Sequence, residues 1–382
     1  MAERIAGVTG SRADFGIQRP VLDALRAAPD FELDLYVTGM HLSPRFGHTV
    51  DEVEAAGFEI AGKIDCDASG GSDLEVAHST SAALAGFADA WAGRRPDLVL
   101  LLGDRFETFA AASAAYLLNI PIAHMIGGDV TSGSLDDGLR HAISKFSHLH
   151  FTTNEPARER LIRMGEHPDT IFTTGTPALD AILSRDLLPR EQVERRVGAP
   201  LGARFLVATF HPATADKGAP SEQFAELLAA FEDLPADMTA LVTYANADSG
   251  GAELNRLLEV AEERSDRIIA RDSLGQELYF SALKHAVMVV GNSSSGLYEA
   301  PSFGIPTVNI GCRQDGRLKA PSVIDCSPER SAITAAMVKA VEMDCSGTVN
   351  PYGDGRATER VLSALRKFMP FEKLGMKRFF DA

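Results

Sequence analysis

The 382-residue sequence lacks the marks of several protein classes. Its four cysteines, Cys66, Cys312, Cys326 and Cys345, show no CxxC spacing, so neither a zinc site nor a disulfide framework is indicated and a reducing compartment is the simplest setting. Basic residues are the minority, 37 Lys and Arg against 53 Asp and Glu, and a net charge of -16 argues against a broad nucleic-acid surface, which needs basic stripes. An anionic ligand still fits if a few Arg and Lys side chains converge on it. No apolar run reaches the roughly 20 residues of a membrane span, and the N-terminus enters a strand pattern without the basic and apolar regions of a secretory leader. A soluble, cytoplasmic chain is expected. No GxGxxG follows any apolar run, which removes the main warrant for a nicotinamide or flavin cofactor. Gly57–Lys63 has the GxxxxGK spacing, but Ile64 stands where a magnesium-binding hydroxyl belongs, so no nucleoside-triphosphate loop is expected. Internal repeats and low-complexity tracts are absent too.

What is present is alternation. Short apolar runs at Ile5–Val8, Leu33–Val37, Leu98–Leu102, Ile122–Met125, Leu149–Thr152 and Ile171–Thr173 are followed by a second set at Phe205–Thr209, Ala240–Tyr244, Arg267–Ile269, Val287–Val290 and Thr307–Ile310. Helical patterns such as Phe106–Leu118, Leu135–Phe146, Ser221–Phe231 and Gly251–Arg264 lie between them. Strand and helix in turn imply parallel sheets covered on both faces. The length suggests two domains, with the charged stretch Ser184–Gly202 as the linker candidate. The expected class is α/β, two Rossmann-like domains facing a central cleft. Ligands in such sheets bind beyond the carboxyl ends of strands, so motifs at those ends matter most.

Several do. In Gly291–Gly311 an apolar run breaks at Gly-Asn, three serines follow, and a short helical pattern leads through Glu299 to a second apolar strand. Backbone N–H groups opening a helix lack internal partners, so with serine hydroxyls and an Arg on the next loop this segment is expected to bind a diphosphate. Ser11–Gly16 (SRADFG) follows the first strand, where Arg12 reaches a phosphate, orders a carboxylate, or lies on the surface after an N-cap. Asp104 ends the apolar Leu98–Leu102 run, as ligand group or as helix N-cap. Asp129 follows His124 and two glycines, and Asp136, Asp137, Arg140 and His141 crowd one helix start, where the dipole alone favours acids. His211 ends the first strand of the second half and is a candidate acid or phosphate donor. His148 and His150 alternate along a strand and cannot face one metal, so structural roles are expected for them.

Taken together these segments resemble the UDP-N-acetylglucosamine 2-epimerase family, in its hydrolysing branch in sialic-acid-type sugar synthesis. The carriers are SRADFG at Ser11–Gly16, GDRFE at Gly103–Glu107, DDGLRHAISKFSHLHF at Asp136–Phe151, TGTPALD at Thr174–Asp180, HPAT at His211–Thr214, and the run Gly291–Arg317. The resemblance implies a GT-B-like fold, with a sugar-side domain over 1–185 joined by a C-terminal helix in 360–382, and a UDP-binding domain over 200–359. It places the diphosphate at Ser293, Ser294 and Ser295, the ribose at Glu299, Arg313 near the nucleotide, and Arg12 at the phosphates. Asp129 joins them as a substrate contact, with Asp104, Asp136 and His211 as the chemical residues. No cofactor or metal is implied; the partner is a UDP-sugar, and a homodimer or homotetramer is expected, closing over its substrate.

The chemistry fits those residue types. C2–H of an N-acetylhexosamine is not flanked by a carbonyl, so departure of UDP from C1 must first build oxocarbenium character that makes the C2 proton labile. Carboxylates stabilise that cation or accept the proton, and serine and arginine donors stabilise the leaving diphosphate. Water then adds to the 2-acetamidoglycal, giving N-acetylmannosamine and UDP from UDP-N-acetylglucosamine. There is one departure: many relatives carry Glu two residues after the strand-end His, where this chain has Ile126, and Asp129 is shorter than the Glu often found at its position. An apolar residue there suits a less hydroxylated sugar such as UDP-2,4-diacetamido-2,4,6-trideoxyglucose. The rivals are a non-hydrolysing epimerase, a GT-B glycosyltransferase and a UDP-sugar sensor without turnover.

Overall fold

A computed structural model describes residues 2–44, 48–66, 73–131, 135–183, 186–212, 219–245 and 251–381. The chain divides into two compact units, Met1–Ser184 with Tyr352–Ala382, and Arg185–Pro351. Among the described residues the first unit holds β1 (Glu3–Thr9), β2 (Phe31–Thr38), β3 (Ile60–Ile64), β4 (Leu98–Leu102), β5 (Ile122–Met125), β6 (Leu149–Thr152) and β7 (Ile171–Thr173). They form a parallel sheet in the order β3-β2-β1-β4-β5-β6-β7. The second unit repeats this plan with β8 (Arg204–Thr209), β9 (Met238–Thr243), β10 (Ile268–Arg271), β11 (Val289–Gly291), β12 (Thr307–Ile310) and β13 (Val323–Cys326). Their order is β10-β9-β8-β11-β12-β13, again parallel. Both units are therefore Rossmann-like, as expected. Each sheet has one point where strand order reverses, between β1 and β4 and between β8 and β11, and there the flanking loops part and leave room for a ligand.

The packing follows from the alternation of strand side chains between two faces. In the first unit Ala6, Val8, Val99 and Leu101 point to one side, against Phe87, Trp91, Ala110, Ala111 and Ala114. Ile5, Leu98, Leu100 and Leu102 point to the other, against Val21, Leu25, Val361, Leu365 and Phe371. Burial on both faces is why β4 reads LVLLL with no polar residue. The C-terminal helix Ala357–Lys367 thus completes the first unit's core, and Asp180 caps it by accepting the N–H groups of Ala357 at 3.0 Å and Thr358 at 2.5 Å.

Two features depart from expectation, and a third bears one out. The edge strands β3 and β13 were not anticipated; β3 alternates half-buried with exposed positions up to a buried Ile64 and β13 is only half-buried, so neither shows the continuous apolar run of an inner strand. The GxxxxGK segment runs from a turn into β3, where Lys63 pairs with Glu54 at 3.0 Å, which is the reverse of the strand–loop–helix order of a phosphate loop. The helix Arg190–Val197 occupies the stretch read as a linker and belongs to the second unit; its charges face outward while Val193 and Val197 are buried.

Candidate active site

The first unit's switch point lies beyond Thr9 and Leu102, which end at one level because Gly7 pairs with Leu100. Gly103 then turns the chain with φ +80, and His124 steadies the turn: its Nε2 lies 2.7 Å from the Gly103 carbonyl, which can only accept, so Nε2 carries the proton, while Nδ1 lies 3.1 Å from the Ser144 hydroxyl, which donates to the Arg140 carbonyl at 3.0 Å. Burial pushes His124 down to about 3, so it serves as a neutral spacer. Asp104 is not an N-cap; that position belongs to Arg105. Its carboxylate instead binds the Arg140 guanidinium.

Arg140 is the organising residue here. Its side chain is 8% exposed, and it donates to the Asp129 carbonyl at 2.9 Å and the Thr131 hydroxyl at 3.0 Å while pairing with Asp137 at 3.5 Å. The helix Leu135–Phe146 is thereby tied to the chain beyond β4 and β5. Asp136 lies in that helix's first turn and is exposed. Asp129 is held from the other side, accepting from Thr153 at 3.0 Å and Asn154 at 3.1 Å; burial pushes its carboxyl up and these donors restrain the rise. Arg12 is 70% exposed and faces Glu52 at 3.6 Å. Ile126 follows β5 at φ +64, a conformation that costs a β-branched residue roughly 1–3 kcal/mol. His150 bonds Glu166 at 3.0 Å and His148 accepts the Ile122 N–H at 3.2 Å, both structural roles as expected.

The second unit's switch point is closed by an amide. Asn292 Oδ1 accepts the His211 N–H at 2.7 Å and Asn292 Nδ2 donates to the His211 carbonyl at 2.8 Å, so one side chain fixes the backbone of the candidate His in both directions. Arg313 and the buried Gln314 both donate to the Asn292 carbonyl, at 3.0 and 2.8 Å. The remainder of HPAT, Ala213 and Thr214, lies outside the described residues. Ser293, Ser294 and Ser295 are partly exposed at the head of a single helical turn, Ser295–Tyr298. Tyr279 reaches Ser295 with 2.6 Å between hydroxyls. Burial pushes Glu299 up, and the Ser295 hydroxyl pulls it part of the way back. The structure thus gathers His211 with Ser293, Ser294, Ser295, Glu299 and Arg313 in one unit, and Asp104, Asp129 and Asp136 in the other.

Arg140, His124, Asn292, Gln314 and Tyr279 were not among the predicted site residues. The only signal for Arg140 was a cation one turn inside a helix start; for Asn292 it was the Gly-Asn break after an apolar run. Asn292→Ala removes two buried bonds at once and is expected to cost roughly 2 kcal/mol, read by denaturant unfolding. UDP affinity should fall with it, and unchanged affinity would show that the His211 backbone needs no such brace.

The family model described as UDP-N-acetylglucosamine 2-epimerase matches residues 23–366. A Legionella pneumophila protein named UDP-N,N'-diacetylbacillosamine 2-epimerase (hydrolyzing) is 37% identical over 96% of each chain. An Escherichia coli protein named polysialic acid biosynthesis protein P7 is 34% identical over 99% of this chain and 97% of its own. The solved UDP-GlcNAc 2-epimerase of Neisseria meningitidis, bound to UDP-GlcNAc, superposes with a TM-score of 0.76 at 17% identity, covering 95% of this chain and 100% of that one, a likeness of fold. The chain belongs to the UDP-N-acetylglucosamine 2-epimerase family, in its hydrolysing branch.

Proposed function

We propose that this enzyme expels UDP from UDP-N,N'-diacetylbacillosamine, the 2,4-diacetamido-2,4,6-trideoxy sugar, and hydrates the glycal to release the 2-epimeric free sugar. The observation that carries the choice of sugar is Ile126. It directly follows β5, with its N–H tied to the Phe151 carbonyl at 2.8 Å and its side chain against the core that contains Met125 and Phe151. Such a side chain offers nothing to a C6 hydroxyl and suits a C6 methyl. The name of the Legionella relative supports the same choice.

In this reading Asp104 and Asp136 face the cationic sugar ring, the former held in place by Arg140. Asp129, with its carboxylate bonded by Thr153 and Asn154, shapes the sugar side. The serine hydroxyls at Ser293, Ser294 and Ser295 with Arg12 and Arg313 take the diphosphate, Glu299 the ribose, and His211 the proton traffic at the leaving group. The first unit is the sugar side and the second the nucleotide side. A cytoplasmic homodimer or homotetramer completes the proposal, and a place in sialic-acid-type sugar synthesis is supported by the name of the Escherichia coli relative. UDP-N-acetylglucosamine is the second reading, favoured by the description of the family model.

Proton NMR in deuterated water with each UDP-sugar tests both. Free sugar with deuterium at C2 and released UDP, formed faster from the diacetamido sugar, is the expected result. Preference for UDP-N-acetylglucosamine removes the specificity argument, and a UDP-linked epimer as product removes the hydrolytic one.

A further inference from the structure

One carboxyl in the first unit has a setting that the roles above leave unused. Asp14 lies in the first turn of the helix Arg12–Ala27, just past β1 at the switch point. Ser11, the N-cap, accepts the Asp14 N–H at 3.2 Å and donates its hydroxyl to Asp14 Oδ2 at 2.8 Å. The Ser11 hydroxyl thus both caps the helix and bonds the Asp14 carboxylate, and capping alone would account for an acid at this position.

Three observations go beyond a cap. Asp14 Oδ1 accepts no hydrogen bond among the described residues, so one oxygen is left over. The charged groups that act on it are the Arg105 cation and the carboxylates of Asp104 and Glu107, all from the segment that follows β4. Glu107 is itself fully buried, with Oε1 on Arg105 at 2.6 Å and Oε2 without any partner among the described residues. It lies so close to β1 and β2 that a Cβ at Gly10 or Gly39 would stand 2.7 Å from Oε1. Burial pushes Asp14 up to about 6; the Ser11 hydroxyl and Arg105 restrain the rise, and Glu107 and Asp104 add smaller contributions to it. A solvent-exposed capping acid would be shifted the other way by its hydrogen bond and the helix dipole.

Three of the neighbouring acids are otherwise engaged, and Asp136, exposed in the first turn of its helix, stays available as a second acid. Asp104 is ion-paired to Arg140, Asp129 is bonded by Thr153 and Asn154, and Asp137 takes the Thr131 N–H at 2.7 Å. Position 126, beyond β5, is isoleucine and can carry no proton.

We propose that Asp14 is the base that removes the C2 proton of the sugar in this chain; the proposal rests on the 2-epimerase reading above. As the C1–O bond to the diphosphate breaks and its electron pair leaves with UDP, the C2–H pair forms the C1=C2 bond and the proton passes to the Asp14 carboxylate. In the hydration step a second acid protonates C2 from the opposite face, water adds to C1, and the surplus water proton restores that acid. Asp14 then returns its proton to solvent, so one UDP-sugar and one water give one free sugar, UDP and one proton.

The sign of the pH dependence follows. A base works only when deprotonated, so kcat of the wild type should fall as pH drops through about 6. Because the folded state holds this proton more tightly than the unfolded chain, the Asp14 contribution to stability decreases as pH rises through the same window. Asp14→Asn tests both. An amide oxygen still accepts the Ser11 hydroxyl, so the cap and fold persist and the melting temperature at pH 8 is unchanged or higher. With UDP-N,N'-diacetylbacillosamine and UDP-N-acetylglucosamine as probes, kcat for UDP release should fall about 10²–10⁴-fold with little change in KM, and the acidic limb should vanish. An Asp14→Asn enzyme within threefold of an active wild type, or one slower but with the limb intact, overturns the proposal. A wild type that releases no UDP from either sugar overturns the functional reading, and this assignment with it.

Discussion

Arg140→Met should lower kcat/KM about 10²-fold or more and cost roughly 3 kcal/mol of stability. The guanidinium is nearly fully buried and bonds the Asp104 carboxylate, the Asp129 carbonyl and the Thr131 hydroxyl, with Asp137 close by. Methionine fills much of the volume and keeps the helix propensity, so the loss isolates the charge and its donors. Removing one partner leaves carboxylates in a partly desolvated site without a counter-charge, which is why the cost exceeds that of a surface ion pair. Arg140→Lys should recover only part, because an ammonium cannot place donors on four acceptors at fixed angles. The cycle with Asp104→Asn separates the roles: if Arg140 acts through Asp104, the double variant is little worse than the worse single one. Additive losses would mean that Arg140 serves the site by another route, and a variant within threefold of wild type would remove it from the machinery.

Why this residue escaped sequence reasoning is a matter of distance along the chain. Asp104 and Arg140 are 36 positions apart, and the pairing exists only because parallel strands bring the ends of β4 and β5 side by side. Local patterns carry what is local. Leu98–Leu102, Ile122–Met125 and the helix Leu135–Phe146 were legible residue for residue because burial on both faces, or on one stripe, writes itself into consecutive positions. The helix Asp73–Gly93 was not, since its apolar residues are largely small alanines spread around its circumference rather than gathered on one face. Asp104, His211 and the serines after β11 could be placed at strand ends from the sequence, and strand ends in such sheets are where ligands bind. Their braces, Arg140 and Asn292, were not legible as braces, because a brace is defined by what it touches.

The second large effect is expected at Gly291, the last residue of β11. Its φ is +134, a region open to glycine alone, and a Cβ added there would stand 2.1 Å from the Thr209 carbonyl oxygen and 2.9 Å from its carbon. The obstacle is backbone in the adjacent strand, so no rotamer change relieves it. Thr209 pairs with Gly291 in the sheet and its carbonyl accepts the Asn292 N–H at 3.2 Å, so displacing it disturbs the support of His211 as well. Gly291→Ala should therefore cost at least about 3 kcal/mol, the sum of a forbidden conformation and an overpacked contact. Gly347→Ala is the matched control in the same unit: it is exposed, nothing lies within 4 Å of its would-be Cβ, and its φ is not in the left-handed region. That change should stay within about 0.5 kcal/mol of wild type. Calorimetric titration with UDP then asks the functional question. If the ends of β8 and β11 form the diphosphate site, the UDP affinity of folded Gly291→Ala falls at least about tenfold, since positioned donors lose their aim with sub-ångström shifts. A variant that is destabilised yet binds UDP as well as the Gly347→Ala control would move the diphosphate away from this switch point, and with it the roles given to Ser293, Ser294 and Ser295.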